Sequence, residues 1–192
     1  GESGHCRWER NAGRFAWGAS SFILADETIG ITDRYQRRLL FFSGQSGALK
    51  YLTSPTEIGG NMGLHVNSGM TVANGSIYIP TASGLYAFDI ESGSSRNISK
   101  SLRSAAAVMG NNEILYAGSM HRSAARNIQA IDTNTDEVQW SVSVDDKVYG
   151  MVLGEDDILY CTSFSERVYA LDAATGQKRW ELKPGIGVEG FT

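Results

Sequence analysis

The sequence contains little that would hold a fold together covalently, and it has no long hydrophobic run. Its two cysteines, Cys6 and Cys161, lie far apart in unlike contexts, which argues against a disulfide framework and a zinc knuckle. Only 3 of the 192 residues are proline, so rigid linkers are not expected. No window approaches the roughly 18 consecutive apolar residues of a transmembrane segment, and no basic segment followed by an apolar one marks a signal peptide.

The sequence also lacks an excess of charge of one sign on any segment. The 17 Lys and Arg residues are scattered among 21 Asp and Glu residues, for a net charge of -4. A protein that neutralises phosphates needs a basic face, so nucleic acid is not an expected partner. The 22 glycines and the hydrophobic fraction of 42% instead indicate a globular fold rich in tight turns.

What the sequence does contain is an internal repeat. Residues 168–182 (VYALDAATGQKRWEL) align without a gap with residues 128–142 (IQAIDTNTDEVQWSV), at an offset of 40 residues. A third copy, LYAFDIESGSSRN, begins at residue 85, and a weaker one, LLFFSGQSGALKY, at residue 39. The shared positions are Ala170, Asp172, Thr175, Gly176 and Trp180 in the last copy, Ala130, Asp132, Thr135 and Trp140 in the one before it, and Ala87, Asp89 and Gly93 in the third. The copies depart from this pattern at Asp136, which takes the glycine position, and at Asn97 and Tyr51, which take the Trp position. Trp8 continues the series of Trp positions upstream, in a segment that resembles a fourth strand.

Each repeat is predicted to form four short strands. Alternating, β-branched and aromatic residues mark the strands, and Gly, Asn and Asp separate them; Asn74-Gly75, for example, suits a two-residue hairpin. A period near 40 residues with four strands is typical of a propeller blade, whose faces are buried only when blades stack. We therefore predict an all-β chain, a β-propeller of four-stranded antiparallel blades near residues 19–53, 63–99, 103–142 and 147–182, with partial blades at both ends.

The repeated residues have structural explanations in the turn between the third and fourth strands. Asp172 can accept hydrogen bonds from amides two residues on, and Gly176 can take the left-handed conformation that ends a tight turn, which Asp136 tolerates less comfortably. Trp140 and Trp180 bring large rings to the outer strand, where they can bridge to the next blade. If Trp180 is buried between blades, its replacement by Ala should cost about 3 to 5 kcal/mol.

The pattern A-x-D-x-x-T-G-x-x-x-W, complete at residues 170–180, resembles the signature of pyrroloquinoline-quinone-type (PQQ-type) repeats. The resemblance covers nearly the whole chain and is strongest in the last two copies. It implies a propeller in which the Trp docks against the neighbouring blade, and it indicates a fold without indicating a function. Propellers of this family often have about seven or eight blades. Residues 1–192 are therefore expected to be either a single propeller domain that a second chain completes, or an excised part of a larger propeller.

No catalytic constellation is evident. The quinone-dependent dehydrogenases that the repeat resembles hold their cofactor with a calcium ion, an acidic base and a pair of adjacent cysteines, and this sequence has no such pair. The segment GQSG at residues 44–47 lacks the G-x-S-x-G spacing of a nucleophile elbow, and the three histidines form no pair of metal ligands. We predict no catalytic, cofactor-binding or metal-binding residues, and this favours a role other than catalysis.

Two loops are candidates for partner binding. An excess of four residues between the second and third strands of the third blade gives the sequence MHRSAAR at residues 120–126, and the comparable loop of the first blade, DRYQRR at residues 33–38, is also basic. Solvated loop charges without a partner are the alternative explanation. The candidate contact residues are Arg37, Arg38, His121 and Arg126.

These observations favour a non-catalytic scaffold that binds another protein or a protein segment through its loops and exposed strand edges, or that associates with itself to complete the propeller. The resemblance extends to the non-catalytic branch of the family, such as the propeller lipoproteins of outer-membrane protein assembly, and implies a periplasmic or extracellular location. One alternative is a fragment of a quinone-dependent dehydrogenase whose catalytic elements lie elsewhere. Another is a carbohydrate-binding or carbohydrate-processing propeller, with Trp17, Tyr35 and Tyr149 as stacking surfaces.

Overall fold

The computed structural model describes residues 6–9, 21–33, 38–53, 70–81, 83–103, 106–119 and 127–184. The regular structure of this part of the chain is β throughout and consists of sixteen strands in four sheets. This confirms the all-β class predicted from the repeat. The described residues include no helix that is long and apolar enough to cross a membrane.

The first compact unit, residues 1–105, contains two four-stranded antiparallel sheets. Strands that are consecutive in the chain are neighbours in each sheet, so each sheet is a simple meander. Sheet 1 consists of β1 (Ser21–Ile23), β2 (Thr28–Asp33), β3 (Arg38–Ser43) and β4 (Leu49–Leu52). Sheet 2 consists of β5 (Thr71–Ala73), β6 (Ser76–Thr81), β7 (Gly84–Asp89) and β8 (Ser95–Ser99).

The second compact unit, residues 106–192, contains two more sheets with the same meander order. Sheet 3 consists of β9 (Ala106–Met109), β10 (Ile114–Gly118), β11 (Asn127–Asp132) and β12 (Val138–Ser143). Sheet 4 consists of β13 (Val148–Leu153), β14 (Ile158–Ser163), β15 (Val168–Asp172) and β16 (Lys178–Leu182). Four strands per repeat, as the sequence predicts, are therefore present in all four copies.

The hairpin between β5 and β6 shows how a short turn sets the strand register. Asn74 and Gly75 both have positive φ, 46° and 69°, as a type I′ turn requires. Ala73 consequently pairs with Ser76 directly across the turn. The two-residue hairpin predicted from the Asn-Gly dipeptide is confirmed.

The turn between the third and fourth strands has the same backbone in all four sheets. The fifth residue of the turn donates its amide hydrogen to the carbonyl oxygen of the first residue, with N···O distances from 2.8 to 3.0 Å. These fifth residues have φ between 60° and 71° and are Gly47, Gly93, Asp136 and Gly176. Asp136 thus takes the left-handed conformation that the repeat assigns to a glycine. An Asp residue adopts this conformation less readily than Gly but more readily than most other residues.

A register shift near this turn separates sheet 2 from the others. In sheets 1, 3 and 4 the shift follows directly on the pair that contains the Trp position, as in Ala130↔Trp140 and Ala170↔Trp180. In sheet 2 the shift comes earlier along β7, so Ala87 lies opposite Arg96, and Asn97 lies opposite Tyr86. The copy that lacks the Trp therefore also lacks the pairing of its Trp position with the repeated alanine.

Each unit has its own core, formed where its two sheets pack together. In the first unit, side chains of β3 pack against side chains of β6 and β7, each at most 1% exposed; these are Leu39, Phe41, Ile77, Ile79 and Phe88. In the second unit, the buried cluster draws on both sheets and includes Tyr116, Ile128, Val148, Leu159, Tyr169 and Leu171. Burial of these side chains is the main favourable contribution to the folding of each unit.

Sheets 3 and 4 are also joined by a backbone hydrogen bond. The amide of Val148, at the start of β13, donates to the carbonyl oxygen of Ser119, just after β10, at 3.0 Å. The side chain of Val148 lies so close to Gly118 that a Cβ atom at Gly118 would come within 2.7 Å of it. A larger residue at position 118 would therefore separate the two sheets.

Candidate functional site

The polar residues of the repeat are engaged within their own turns. Asp172 Oδ1 accepts hydrogen bonds from the Thr175 amide at 3.0 Å and the Thr175 hydroxyl at 2.9 Å. Asp89 Oδ1 accepts the corresponding bonds from the amide and hydroxyl of Ser92, at 2.7 and 2.6 Å. Arg179, 2.5 Å from Asp172, and then Thr175 lower the pKa of the Asp172 carboxyl, and Ser92 lowers the pKa of Asp89. These side chains stabilise their own turns.

The Trp residues of two repeats form joints with the turn of the following sheet. The indole Nε1 of Trp140 donates to the carbonyl oxygen of Ala173 at 3.0 Å. Its ring covers Gly176, where a Cβ atom would lie only 2.6 Å from ring carbon Cε3. Glycine therefore serves two purposes at this position: it adopts the left-handed conformation, and it leaves space for the ring.

Trp8 forms the same joint with sheet 1. Its Nε1 donates to the carbonyl oxygen of Gly44 at 2.8 Å, and a Cβ atom at Gly47 would lie 2.6 Å from the indole ring. Residues 6–9 form no strand, although the sequence around Trp8 resembles a fourth strand. Among the described residues, the joint consists of the indole ring over Gly47 and its hydrogen bond to Gly44.

Trp180, which occupies the same position in the last repeat, is different. Its side chain is 45% exposed, and its ring lies near Tyr160 of its own sheet, with centroids 6.0 Å apart. The described residues do not bury this ring, so its burial between blades, which the repeat suggests, stays a prediction. The physical reason is that these residues include no turn of a following sheet for the ring to cover.

The exposure of Trp180 is part of a larger open surface on sheet 4. In sheet 3, Val108, Trp140 and Val142 pack against the core shared with sheet 4. The equivalent residues of sheet 4 are exposed by 45% to 58%; they are Val152, Trp180 and Leu182. We call these three residues the open face of sheet 4. An apolar sheet face that is covered in one copy and uncovered in the next is a candidate docking surface.

A charged network links the connection between β12 and β13 to sheet 4. Arg167 contacts Asp145 at 2.8 Å and Glu181 at 2.5 Å, and Glu181 also pairs with Lys178. Burial, together with a hydrogen bond to Asp145, raises the pKa of Tyr169 to about 12. Burial opposes ionisation of Asp145, but hydrogen bonds from Tyr169 and Ser165 and the charge of Arg167 outweigh it and lower its pKa. The two acidic and two basic side chains of this network pair with one another.

The structure describes only one of the four predicted contact residues. Arg38 is the first residue of β3, opposite Asp33, and is half-buried. Arg37, His121 and Arg126 lie outside the described residues, as do Trp17 and Tyr35. Partner binding by these four residues therefore stays a prediction.

Other candidate residues are isolated from one another in the described part of the chain. Cys161 is buried, and burial raises the pKa of its thiol to about 12, whereas Cys6 is exposed. Tyr149 is exposed and stacks on Phe164 with centroids 5.7 Å apart. The residues that the structure describes contain no group of three or more His, Cys, Asp or Glu that could hold a metal ion.

Sequence reasoning did not identify the open face of sheet 4 or the charged network. The sequence does contain a signal for the open face, since the offset that aligns Trp140 with Trp180 also aligns Val142 with Leu182. The network had none, because Asp145 follows β12 and Arg167 precedes β15, outside the repeated positions.

Comparison with known proteins identifies the type of propeller. The solved structures that resemble the chain include BamB from Moraxella catarrhalis, with a TM-score of 0.62 and 16% identity over 88% of this chain and 49% of that one. They also include Sqt1 from Saccharomyces cerevisiae, with a TM-score of 0.65 and 14% identity over 81% and 44% of the two chains. The computationally designed Ika8 protein has a TM-score of 0.61 and 11% identity over 85% and 48%.

At these identities the likeness concerns the fold, and the chain spans about half the length of each of these structures. A comparison with curated protein sequences gives no match. The profile of the family described as outer membrane protein assembly factor BamB matches residues 1–181. The four-stranded sheets and the PQQ-type repeat agree with that match: the chain belongs to the family of outer membrane protein assembly factor BamB and has its β-propeller fold.

Proposed function

We propose that the chain is a non-catalytic scaffold that binds other proteins during outer membrane protein assembly, and that it works in the periplasm. The observation that carries the proposal is the family match over residues 1–181. Support comes from the repeat residues themselves, because the Asp172 and Thr175 side chains are engaged in their own turn and Trp140 is engaged in a joint. What remains for binding is the surface: loops, sheet edges and exposed apolar side chains.

The basic loops are the contact region that we propose for an acidic protein segment, with Arg37, Arg38, His121 and Arg126 as its contacts. Arginine suits this role because its planar guanidinium can pair with a carboxylate through two hydrogen bonds. Such contacts also steer association, so their loss should change the on-rate and the salt dependence of binding.

The test is a binding measurement between the 192-residue chain and the purified outer membrane assembly complex of the source organism. A double variant, Arg37→Glu with Arg38→Glu, should weaken binding by about tenfold or more, since like charges in an interface are strongly disfavoured. Lys183→Glu is the matched control, because Lys183 is exposed and lies outside both loops. Absence of binding, or equal loss in both variants, would contradict the proposal, as would a quinone absorbance band in the purified protein.

We also propose that the open face of sheet 4 is covered by a sheet of a second copy of the chain. The positions equivalent to Val152, Trp180 and Leu182 in sheet 3 are covered by a sheet of the same repeat, which defines the shape that fits. Light scattering should therefore give the mass of a dimer. Val152→Lys should convert it to a monomer, whereas Val138→Lys, at an exposed position of β12, should not. A wild-type monomer would overturn this part of the proposal and leave the basic loops to be judged separately.

A further inference from the structure

A pocket of about 300 Å³ lies between sheets 3 and 4 of the second unit. It is bordered by Asn111 and Asn112 of the β9–β10 hairpin, by Gln139 and Trp140 of β12, and by Asp157 of the β13–β14 hairpin. Its volume is at the lower end of the range for small-molecule sites, about 300 to 1,000 Å³. The space therefore suits a ligand of one or two rings.

The pocket combines an aromatic wall with a polar rim. Trp140 and Tyr116 border it, with ring centroids 5.8 Å apart and planes inclined by 35°. The rim residues Asn111, Asn112 and Gln139 are exposed, and their side-chain amides have no hydrogen-bond partner among the described residues. Each amide offers both a donor and an acceptor to a ligand.

The side-chain amide of Gln139 stands at a position where sheets 1 and 4 have a basic residue. The equivalent residue in sheet 1 is Lys50, which forms an ion pair with Asp26 at 2.9 Å. The equivalent residue in sheet 4 is Arg179, which forms an ion pair with Asp172 at 2.5 Å. In these sheets the position stabilises the sheet's own fold. In sheet 3 the uncharged Gln139 faces a pocket in which the nearby hairpin also presents amides.

We propose that this pocket binds a neutral saccharide. Sugar hydroxyls both donate and accept hydrogen bonds, which matches the amides of Asn111, Asn112 and Gln139, while the Asp157 carboxylate accepts further bonds. The apolar face of a sugar ring matches an aromatic wall such as that of Trp140. An anionic ligand fits poorly, because Asp157 is the charged residue that borders the pocket and no cation lines it among the described residues. The site is independent of the proposed protein-binding role, since it uses neither the basic loops nor the open face of sheet 4.

The test is an NMR titration of the ¹⁵N-labelled chain with glucose, galactose, N-acetylglucosamine and maltose, each up to about 50 mM, a range that detects millimolar affinity. With at least one sugar, we expect saturable shifts of the side-chain amides of Asn111, Asn112 and Gln139 and of the Trp140 indole N–H. Absence of saturable shifts with all four sugars would overturn the proposal, and so would shifts confined to residues away from the pocket.

A matched pair of variants separates binding from folding. Gln139→Ala should weaken sugar binding by about three- to tenfold, as expected when one hydrogen bond is lost. Gln177→Ala is the control, because Gln177 is an exposed glutamine in the turn after β15 and does not border the pocket. Equal affinities for the two variants would contradict the assignment. The ¹⁵N spectrum of each variant shows whether it is folded, and Gln139→Asn, which restores a shorter amide, should recover part of the affinity.

Discussion

The turns of sheets 2 and 4 have the same backbone and different surroundings. Gly93 and Gly176 both have a φ of 71° and close the same hydrogen-bonded loop. A Cβ atom at Gly176 would collide with Trp140, whereas one at Gly93 would meet no atom of the described residues within 4 Å. Gly176 is buried and Gly93 is only half-buried. The Asp-to-Gly part of the motif therefore specifies a turn, and the Trp of the preceding repeat specifies a joint; the two functions are separable.

Tyr51 shows that an aromatic ring at the Trp position is not sufficient for a joint. This residue is in the repeat before Gly93, where a docking Trp would be expected. Its ring instead stacks on Phe41 of its own sheet, with centroids 4.2 Å apart and planes inclined by 15°, and it is 40% exposed. Because sheet 1 has Phe41 where the other repeats have alanine, the ring finds a partner within its own sheet.

The largest expected effect is the loss of a joint. Trp140→Ala should lower the free energy of unfolding by about 3 kcal/mol, the lower end of the range for a large core ring, since Trp140 is half-buried. In the monomeric Val152→Lys background, Trp180→Ala, at the same position of the motif but exposed, should cost less than about 1 kcal/mol. Urea denaturation followed by circular dichroism measures both. Equal costs would show that the joint with Gly176 does not stabilise the second unit.

A smaller effect should separate the turn from the joint. Gly93→Ala and Gly176→Ala both place a Cβ atom in the left-handed region, at a cost of about 1 kcal/mol each. Gly176→Ala should cost at least about 1 kcal/mol more, because the Trp140 ring must move away. Thermal or urea denaturation of the two variants gives this difference directly. If Gly176→Ala still cost more than Gly93→Ala by the same amount in a Trp140→Ala background, the collision with the ring would not be the cause of the extra cost.

The smallest effect concerns the carboxylates of the two turns. Arg179 is the main cause of the lowered pKa of Asp172, whereas Ser92 is that of Asp89. A lowered folded pKa adds stability that is complete above the ordinary carboxyl value of about 4 and is lost as the pH falls through the folded value. Arg179→Met should raise the pKa of Asp172 towards its ordinary value and leave Asp89 unchanged. A ¹³C NMR titration of the Asp carboxyls tests this, with Lys183→Met as the control; an unchanged Asp172 would argue against the Arg179 pair.

The repeat predicted the four-stranded sheets well because each strand obeys a local rule. Asn74-Gly75 fixes a hairpin wherever it occurs, and a left-handed residue five positions into the turn can be recognised even where it is Asp136. The uncovered ring of Trp180 could not be predicted, because its environment depends on a neighbouring sheet and not on its own sequence. The shifted register at Asn97 could not be predicted for a related reason, since the pairing of β7 with β8 depends on both strands.

The candidate sites were less predictable than the fold. The charged network of Asp145, Arg167 and Glu181 combines residues from two connecting segments and one strand, so no spacing in the sequence marks it. The pocket near Gln139 is formed by five separate segments, and nothing in the sequence distinguishes its rim residues from other surface amides. Surfaces made by several segments depend on packing, which a repeat pattern describes only in part.

The two contacts between sheets 3 and 4 have a mechanical consequence. The Val148–Ser119 hydrogen bond lies at the β13 end of the strand order, and the Trp140–Ala173 hydrogen bond lies at the β16 end. Two sheets that are joined at two separate points resist rotation about either point alone. The pocket between sheets 3 and 4 should therefore vary less in width than a cleft between sheets joined at one point.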